Sequence, residues 1–167
     1  LTHQKDQITF LKALYLIKEK VKFKALIIGS GVEKRNLKEY ITKKNMLNKV
    51  KIVNYNSNPF PLLKKADLFI LTSLYEGLPN VLLEALVLKK IVFSTNCQTG
   101  PREILENGKN GMLFEVEDYK TLSRKIFEFY KDKKKYLKKF KNFNNSLKRF
   151  DQKRNLSKYY SMIKRIL

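Results

Sequence analysis

The sequence predicts an α/β domain with a parallel sheet flanked by helices. Short apolar runs alternate with segments of helical periodicity along most of the chain. Those runs lack polar alternation, as strands covered on both faces do. The 167 residues suit one domain with a real core.

The elements follow in order. "ITFLKALYLIKEK" (8–20) has apolar residues at helical spacing, and "KALIIG" (24–29) reads as a buried strand ending in Gly. "EKRNLKEYITKKN" (33–45) reads as a surface helix and "VKIVNY" (50–55) as a strand. "NPFPLLKKA" (58–66) is a short helix with Pro near its start, leading into the strand "DLFILTS" (67–73). "PNVLLEALVLKK" (79–90) is a helix, and "IVFSTN" (91–96) a strand. "GPREILENG" (100–108) is a short helix with a Gly stop, and "GMLFEV" (111–116) a strand. Two or three basic helices close the chain. Residues 1–130 form the expected sheet domain. Residues 131–167 are basic amphipathic helices, with apolar residues at 136, 140, 143, 147 and 150, then 156, 159, 163 and 166. Such a stripe packs on the body of the protein or lies on a membrane surface.

Composition bounds the function. The chain carries 36 Lys and Arg against 15 Asp and Glu, a formal charge of +21. An anionic partner would answer that charge. The excess of Lys over Arg and the abundant Asn also match an AT-rich coding bias. No nucleic-acid motif or basic-aromatic platform is present. One cysteine, Cys97, allows no intrachain disulfide, and one histidine, His3, leaves little for a metal site. A reducing, cytoplasmic compartment fits. No apolar run reaches the roughly 18–20 residues of a membrane span.

In an open parallel sheet, ligands bind at the carboxyl ends of the strands. The segments there are 29–31, 54–58, 73–80 and 96–103. After the first strand, Gly29-Ser30-Gly31 could be a phosphate turn. However, Lys34 replaces the last glycine of a dinucleotide fingerprint, and Asn54-Tyr55 stands where an acid should close the next strand. A nicotinamide enzyme is therefore not indicated, and no P-loop occurs. A tight turn and a ligand contact both remain open for Gly29.

The stretch "EGLPNVLLEA" (76–85) is more informative. Gly77 frees the backbone beside Glu76. Pro79 suits a first helical turn, so amides around Asn80–Leu82 should face the strand ends as an anion site. Asn80 and Glu84 share a face one turn apart. Glu84 lies among Val81, Leu82, Leu83, Ala85, Leu86, Val87 and Leu88, so it does not sit on a plain solvated face. There it could accept two hydroxyls of a ribose, while Glu76 reaches the other side of the phosphates.

Glu76 and Glu84, in "SLYEGLPNVLLEAL", resemble the E-x7-E motif of retaining GT-B glycosyltransferases of the glycogen-synthase-like (GT4) type. "LTHQKDQITFLKAL", "ALIIGSG", "NPFPLLKKADLFILTS" and "TGPREILENGKNGMLF" are similar to further segments of that family. The last resembles the segments of hexosamine transferases in surface-glycan assembly. The resemblance covers roughly 1–130, and the tail "RFDQKRNLSKYYSMI" is similar to the family's closing helices, which implies that 131–167 packs on this domain or on the family's N-terminal domain.

The resemblance implies a single Rossmann-like domain, the donor-binding C-terminal half of a GT-B fold. It implies that Glu84 holds the ribose and that Glu76 contacts the donor sugar as the catalytic carboxylate. Gly77, Leu78, Pro79 and Asn80 would face the donor. Lys5 would neutralise the diphosphate as the Lys of an R-x4-K segment whose Arg precedes Leu1. Gly100 and Glu103 would lie near the sugar, with Arg102 as a further cation. Residues 54–58, Asn54 among them, would line the base. The donor would be a nucleotide sugar, a UDP-sugar first, handled without a metal or other cofactor.

The implied partners are the N-terminal GT-B domain and a glycan or lipid-linked acceptor at the inner membrane face, with no nucleic acid. The isolated half should bind nucleotide weakly and transfer little. A non-catalytic scaffold subunit of the same fold is the alternative.

Overall fold

The structure is a computed structural model that describes residues 1–140 and 147–166. Five strands carry the sheet: β1 (Ala25–Ile28), β2 (Val50–Val53), β3 (Leu68–Leu71), β4 (Ile91–Thr95) and β5 (Met112–Phe114). The helices are α1 (Gln7–Ile17), α2 (Lys34–Lys43), α3 (Phe60–Lys65), α4 (Asn80–Val87), α5 (Pro101–Ile104), α6 (Tyr119–Lys131), α7 (Lys133–Lys139) and α8 (Gln152–Ile166). Each expected element is present, and most are shorter than the apolar runs that foretold them. The runs continue past the ladders, into the buried Thr72 and Ser73 after β3 and the exposed Asn54 and Tyr55 after β2.

All strand pairing is parallel, as expected. The strands fall into two ladders rather than one continuous ladder: β1 with β2, and β3-β4-β5. Ala25 pairs with Val50, Leu68 with Ile91, and Phe93 with Met112. Residues 1–5 run beside the carboxyl ends of both ladders. The Leu1 ammonium donates to the Ser30 carbonyl just past β1. The Leu74 amide, just past β3, donates to the Gln4 carbonyl at 2.8 Å.

Strand β4 shows why the fold has two layers of helices. All five of its residues are buried. Successive side chains of a strand point to opposite faces. Ile91 and Phe93 join one cluster with Leu11, Leu14, Leu122 and Phe129, from α1 and α6. Val92 joins the other, with Leu82, Leu86, Ile104 and Leu105 around α4 and α5. The apolar run "IVF" therefore serves both faces at once.

The basic C-terminal region divides in its packing. Tyr136 and Phe140 of the predicted stripe are buried in the core, and Leu147 and Phe150 pack half-buried against the α4–α5 cluster. Position 143 and the side chain of Ile166 lie outside the described residues. Leu156, Tyr159 and Ile163 of α8 are exposed. Asp132 separates α6 from α7, its carboxylate accepting the Lys135 amide at 2.9 Å as an N-cap. The Tyr136 hydroxyl donates to Glu128 at 3.1 Å. Burial, together with that carboxylate, pushes the Tyr136 pKa up to about 12.

Phe93 is fully buried and meets Phe129 edge-on, with ring centroids 6.1 Å apart, and Tyr136 at 5.6 Å. Replacing it by alanine leaves a cavity between the sheet and α6. We expect Phe93→Ala to cost about 3–5 kcal/mol, read as a lowered urea midpoint in circular dichroism.

Candidate functional site

The carboxyl ends of β3 and β4 and the first six residues build one polar cluster. Strand β3 ends in Leu71, and the next residues are Thr72 and Ser73, both buried. Thr72 Oγ1 donates to the Lys5 carbonyl at 3.0 Å, and Gln4 Nε2 to the Tyr75 carbonyl at 2.9 Å. These bonds lay the start of the chain along the loop after β3. Lys5 is further set by Asp6, a residue at φ 40 that reverses the chain and caps α1. Asp6 accepts the Thr9 amide at 3.4 Å. Its Oδ2 is buried with no hydrogen-bond partner among the described residues, and burial pushes its carboxyl pKa up.

At the centre, Lys5 Nζ lies 2.7 Å from Glu76 Oε1. The Glu76 side chain is only 7% exposed, against 38% for Lys5. A carboxylate buried to that degree needs a counter-charge and hydrogen bonds in place of the water it loses. It has both, because Ser73 Oγ also donates to Oε1, at 2.6 Å. The ammonium is exposed enough to keep its other protons for an anion at the surface.

A second loop closes on this one. Thr99 Oγ1 donates to the Glu76 carbonyl. Gly100 stands at φ +78 against Gly77, and a Cβ there would overlap the Gly77 carbonyl oxygen and press on Pro79. Gly77 itself has open space where a Cβ would be, so no packing contact requires a glycine there. Cys97 is buried behind the loop, and burial pushes its thiol pKa up.

Helix α4 begins at Asn80, one residue later than the sequence predicts, and Pro79 is its N-cap in extended geometry rather than part of its first turn. One of the three expected free amides is taken: the Leu82 N–H donates to the Pro79 carbonyl at 2.9 Å. The tight first turn uses that donor and leaves the amides of Asn80 and Val81. Asn80 and Leu78 are exposed, and Glu84 is half-buried, its carboxylate making no hydrogen bond or ion pair among the described residues. Its carbonyl accepts the Leu88 amide at 3.1 Å within the helix.

Other predicted residues are spread more widely. Arg102 Nε donates to Asn96 Oδ1 at 2.9 Å, and Asn96 Nδ2 donates to Glu115 Oε1 at 3.0 Å. This ties Arg102 to the end of β4 and away from Lys5. Glu103 is exposed, and its carbonyl accepts Arg149 Nη2 at 3.0 Å. Arg149 also lies 3.3 Å from Glu106. An open groove of about 540 Å³ runs past Thr99, Gly100, Arg102, Glu103 and Arg149. Asn54 is exposed beyond β2 and accepts a hydrogen bond from Lys34 Nζ. Gly29 and Gly31 form a turn at positive φ, closed against Leu1.

Sequence reasoning missed Thr72, Ser73, Thr95 and Thr99. For Thr72, Ser73 and Thr95 the signal was small hydroxyl residues at or just past the ends of apolar strands, in "LTS" and "FST"; Thr99, in the following loop, had no such signal. Among the described residues, no group of three or more His, Cys, Asp and Glu could hold a metal ion.

A parallel α/β domain with paired acidic and basic groups at its strand ends is a form suited to a nucleotide ligand. Comparison with known proteins identifies the family. Residues 1–150 match the family described as glycosyl transferases group 1, and the chain belongs to that family.

An uncharacterized glycosyltransferase of Methanocaldococcus jannaschii is 44% identical over 106 residues, 63% of this chain and 26% of the relative. The N-acetylgalactosamine-N,N'-diacetylbacillosaminyl-diphospho-undecaprenol 4-alpha-N-acetylgalactosaminyltransferase of Campylobacter jejuni is 30% identical over 115 residues, 69% of this chain and 32% of the relative. The chain therefore spans a third or less of these curated relatives. The solved structure of Anabaena HepE in complex with UDP superposes with a TM-score of 0.88 at 23% identity, over 98% of this chain and 46% of HepE. That likeness shows the fold, a Rossmann-like half of the C-terminal type in GT-B proteins.

The Gly100–Gly77 contact makes one substitution decisive. Gly100→Ala combines positive-φ strain with a backbone clash. We expect it to destabilise the fold by about 1–3 kcal/mol in urea titration, whereas Gly77→Ala, with open space around it, should change stability by less than about 1 kcal/mol.

Proposed function

We propose that this chain is the donor-binding half of a retaining glycosyltransferase. The enzyme transfers a hexose or N-acetylhexosamine from a nucleotide sugar to a glycan or lipid-linked acceptor in surface polysaccharide or glycoconjugate assembly. The observation that carries this reading is the Lys5–Glu76 pair, a nearly buried carboxylate and a partly exposed ammonium at the strand ends, next to the helix that bears Glu84. Membership in the glycosyl transferases group 1 family supports it.

The chemistry follows from charge. Sugar transfer expels a nucleoside diphosphate, on which negative charge grows as the glycosidic bond breaks. Lys5 and the free amides at the start of α4 form a preset cationic cradle for that charge. It stabilises the leaving group without calling on a metal ion. Glu84 accepts the ribose hydroxyls. Glu76 accepts hydroxyls of the donor sugar and fixes its orientation, with Gly77, Leu78, Pro79 and Asn80 forming the adjoining wall. Gly29 and the Asn54 loop border the base. Gly100 and Glu103 stand on the sugar side, and Arg102 adds positive potential at the groove rather than a direct phosphate contact. The acceptor enters from the N-terminal half of the GT-B cleft, so the donor half alone transfers little.

The Campylobacter relative's name specifies an undecaprenol-linked acceptor, which supports a lipid-linked substrate here. No helix among the described residues is long and apolar enough to cross a membrane. Peripheral attachment at the cytoplasmic face is the proposed arrangement, aided by the Lys- and Arg-rich tail near anionic lipid.

Calorimetric titration with UDP, GDP and ADP tests the reading. We expect UDP to bind most tightly and Glu84→Ala to weaken it about tenfold or more, since a ligand hydroxyl pair loses a charged acceptor. Binding of no nucleotide by the full-length protein would point to a scaffold role instead.

A further inference from the structure

We propose that Ser73 is a positioning residue for Glu76. It holds one carboxylate oxygen so that the other is presented to the donor sugar. This inference rests on the role of Glu76 proposed above. The Ser73 side chain is completely buried and touches no ligand space, so its hydroxyl acts through its neighbour. It donates to Glu76 Oε1 at 2.6 Å, and Lys5 Nζ converges on the same oxygen at 2.7 Å. Oε2 takes no hydrogen bond among the described residues. Two donors reaching one oxygen from different elements fix the carboxylate's torsions and leave one face of it for substrate hydroxyls.

The two donors are not equivalent. Lys5 has a long, flexible stem and is more than a third exposed, so a diphosphate would share its ammonium. Ser73 has one rotatable bond before its hydroxyl and sits at the end of β3. Its own carbonyl accepts Thr95 Oγ1 at 2.7 Å, and Thr95 is fully buried at the end of β4. The neighbouring strand thus braces the residue that braces Glu76. When the ammonium turns toward phosphate, Ser73 keeps the carboxylate in place.

The test uses the full-length enzyme carrying Ser73→Ala, which keeps the Thr95 bond to the backbone intact. Loss of a charge-assisted hydrogen bond should lower kcat about 10- to 100-fold. UDP affinity should stay within about twofold, because Glu76 serves the sugar and not the nucleotide. In a Glu76→Gln background the same substitution should add less than about twofold. A crystal structure of Ser73→Ala should show the Glu76 carboxylate displaced. An unmoved carboxylate, an unchanged kcat, or equal loss of UDP affinity and kcat would overturn the proposal. Wild-type enzyme that neither binds UDP nor transfers sugar would instead overturn the functional reading. The carboxylate position in the variant crystal would still decide the role of Ser73.

Discussion

The ion pair between Lys5 and Glu76 joins residues 71 positions apart, and the polar end of the molecule is organised around it. Its strength comes from asymmetry of exposure. The nearly buried carboxylate gains a counter-charge for the hydration it loses, and the partly exposed ammonium retains a face toward solvent. The pair therefore anchors Lys5 while leaving it able to meet an anion. Thr72, Gln4 and Asp6 serve the same end by holding the backbone on either side of the lysine.

That arrangement needs a rigid floor, which β4 supplies. Being buried on both faces, it fixes α1 and α6 on one side and α4 and α5 on the other. The loops after β3 and β4 then emerge side by side, close enough for Gly100 to meet Gly77. The glycine at 100 is a consequence of two backbones sharing the space that a single methyl would fill.

Much of this was legible in the sequence. The order and type of the elements followed from apolar periodicity, and Glu84 stood out as a carboxylate in an apolar helix. The carboxylate at 76, flanked by Gly77 and Pro79, pointed to the loop in which the structure places the Lys5–Glu76 pair. What stayed hidden depends on which groups meet in space, some far apart in sequence and some across a single turn. The division into two ladders reflects which strand edges meet, and no local pattern encodes that. Arg102 read as a free cation because its partner Asn96 lies across a turn. Leu82 read as a free amide because helix-start geometry decides whether the first turn closes on the Pro79 carbonyl. The hydroxyls of Ser73 and Thr95 looked like ordinary strand-end residues until the adjacent strands were placed.

The first six residues cross the carboxyl ends of both ladders by polar contacts, with Leu1 alone adding apolar burial against the turn after β1. Segments held in that way open at lower free energy than elements packed into a core. The molecule therefore has two tiers of cooperativity. The strands and α6 unfold only with the whole domain, while the segment carrying Lys5 can lift away locally and take half of the ion pair with it. Anything that bridges Lys5 to the rest of the site would raise the lower tier toward the upper one. Occupancy would then register as slowed exchange of the hydrogen-bonded Lys5 and Asp6 amides, in addition to the rise in global melting point that any ligand of the folded state brings.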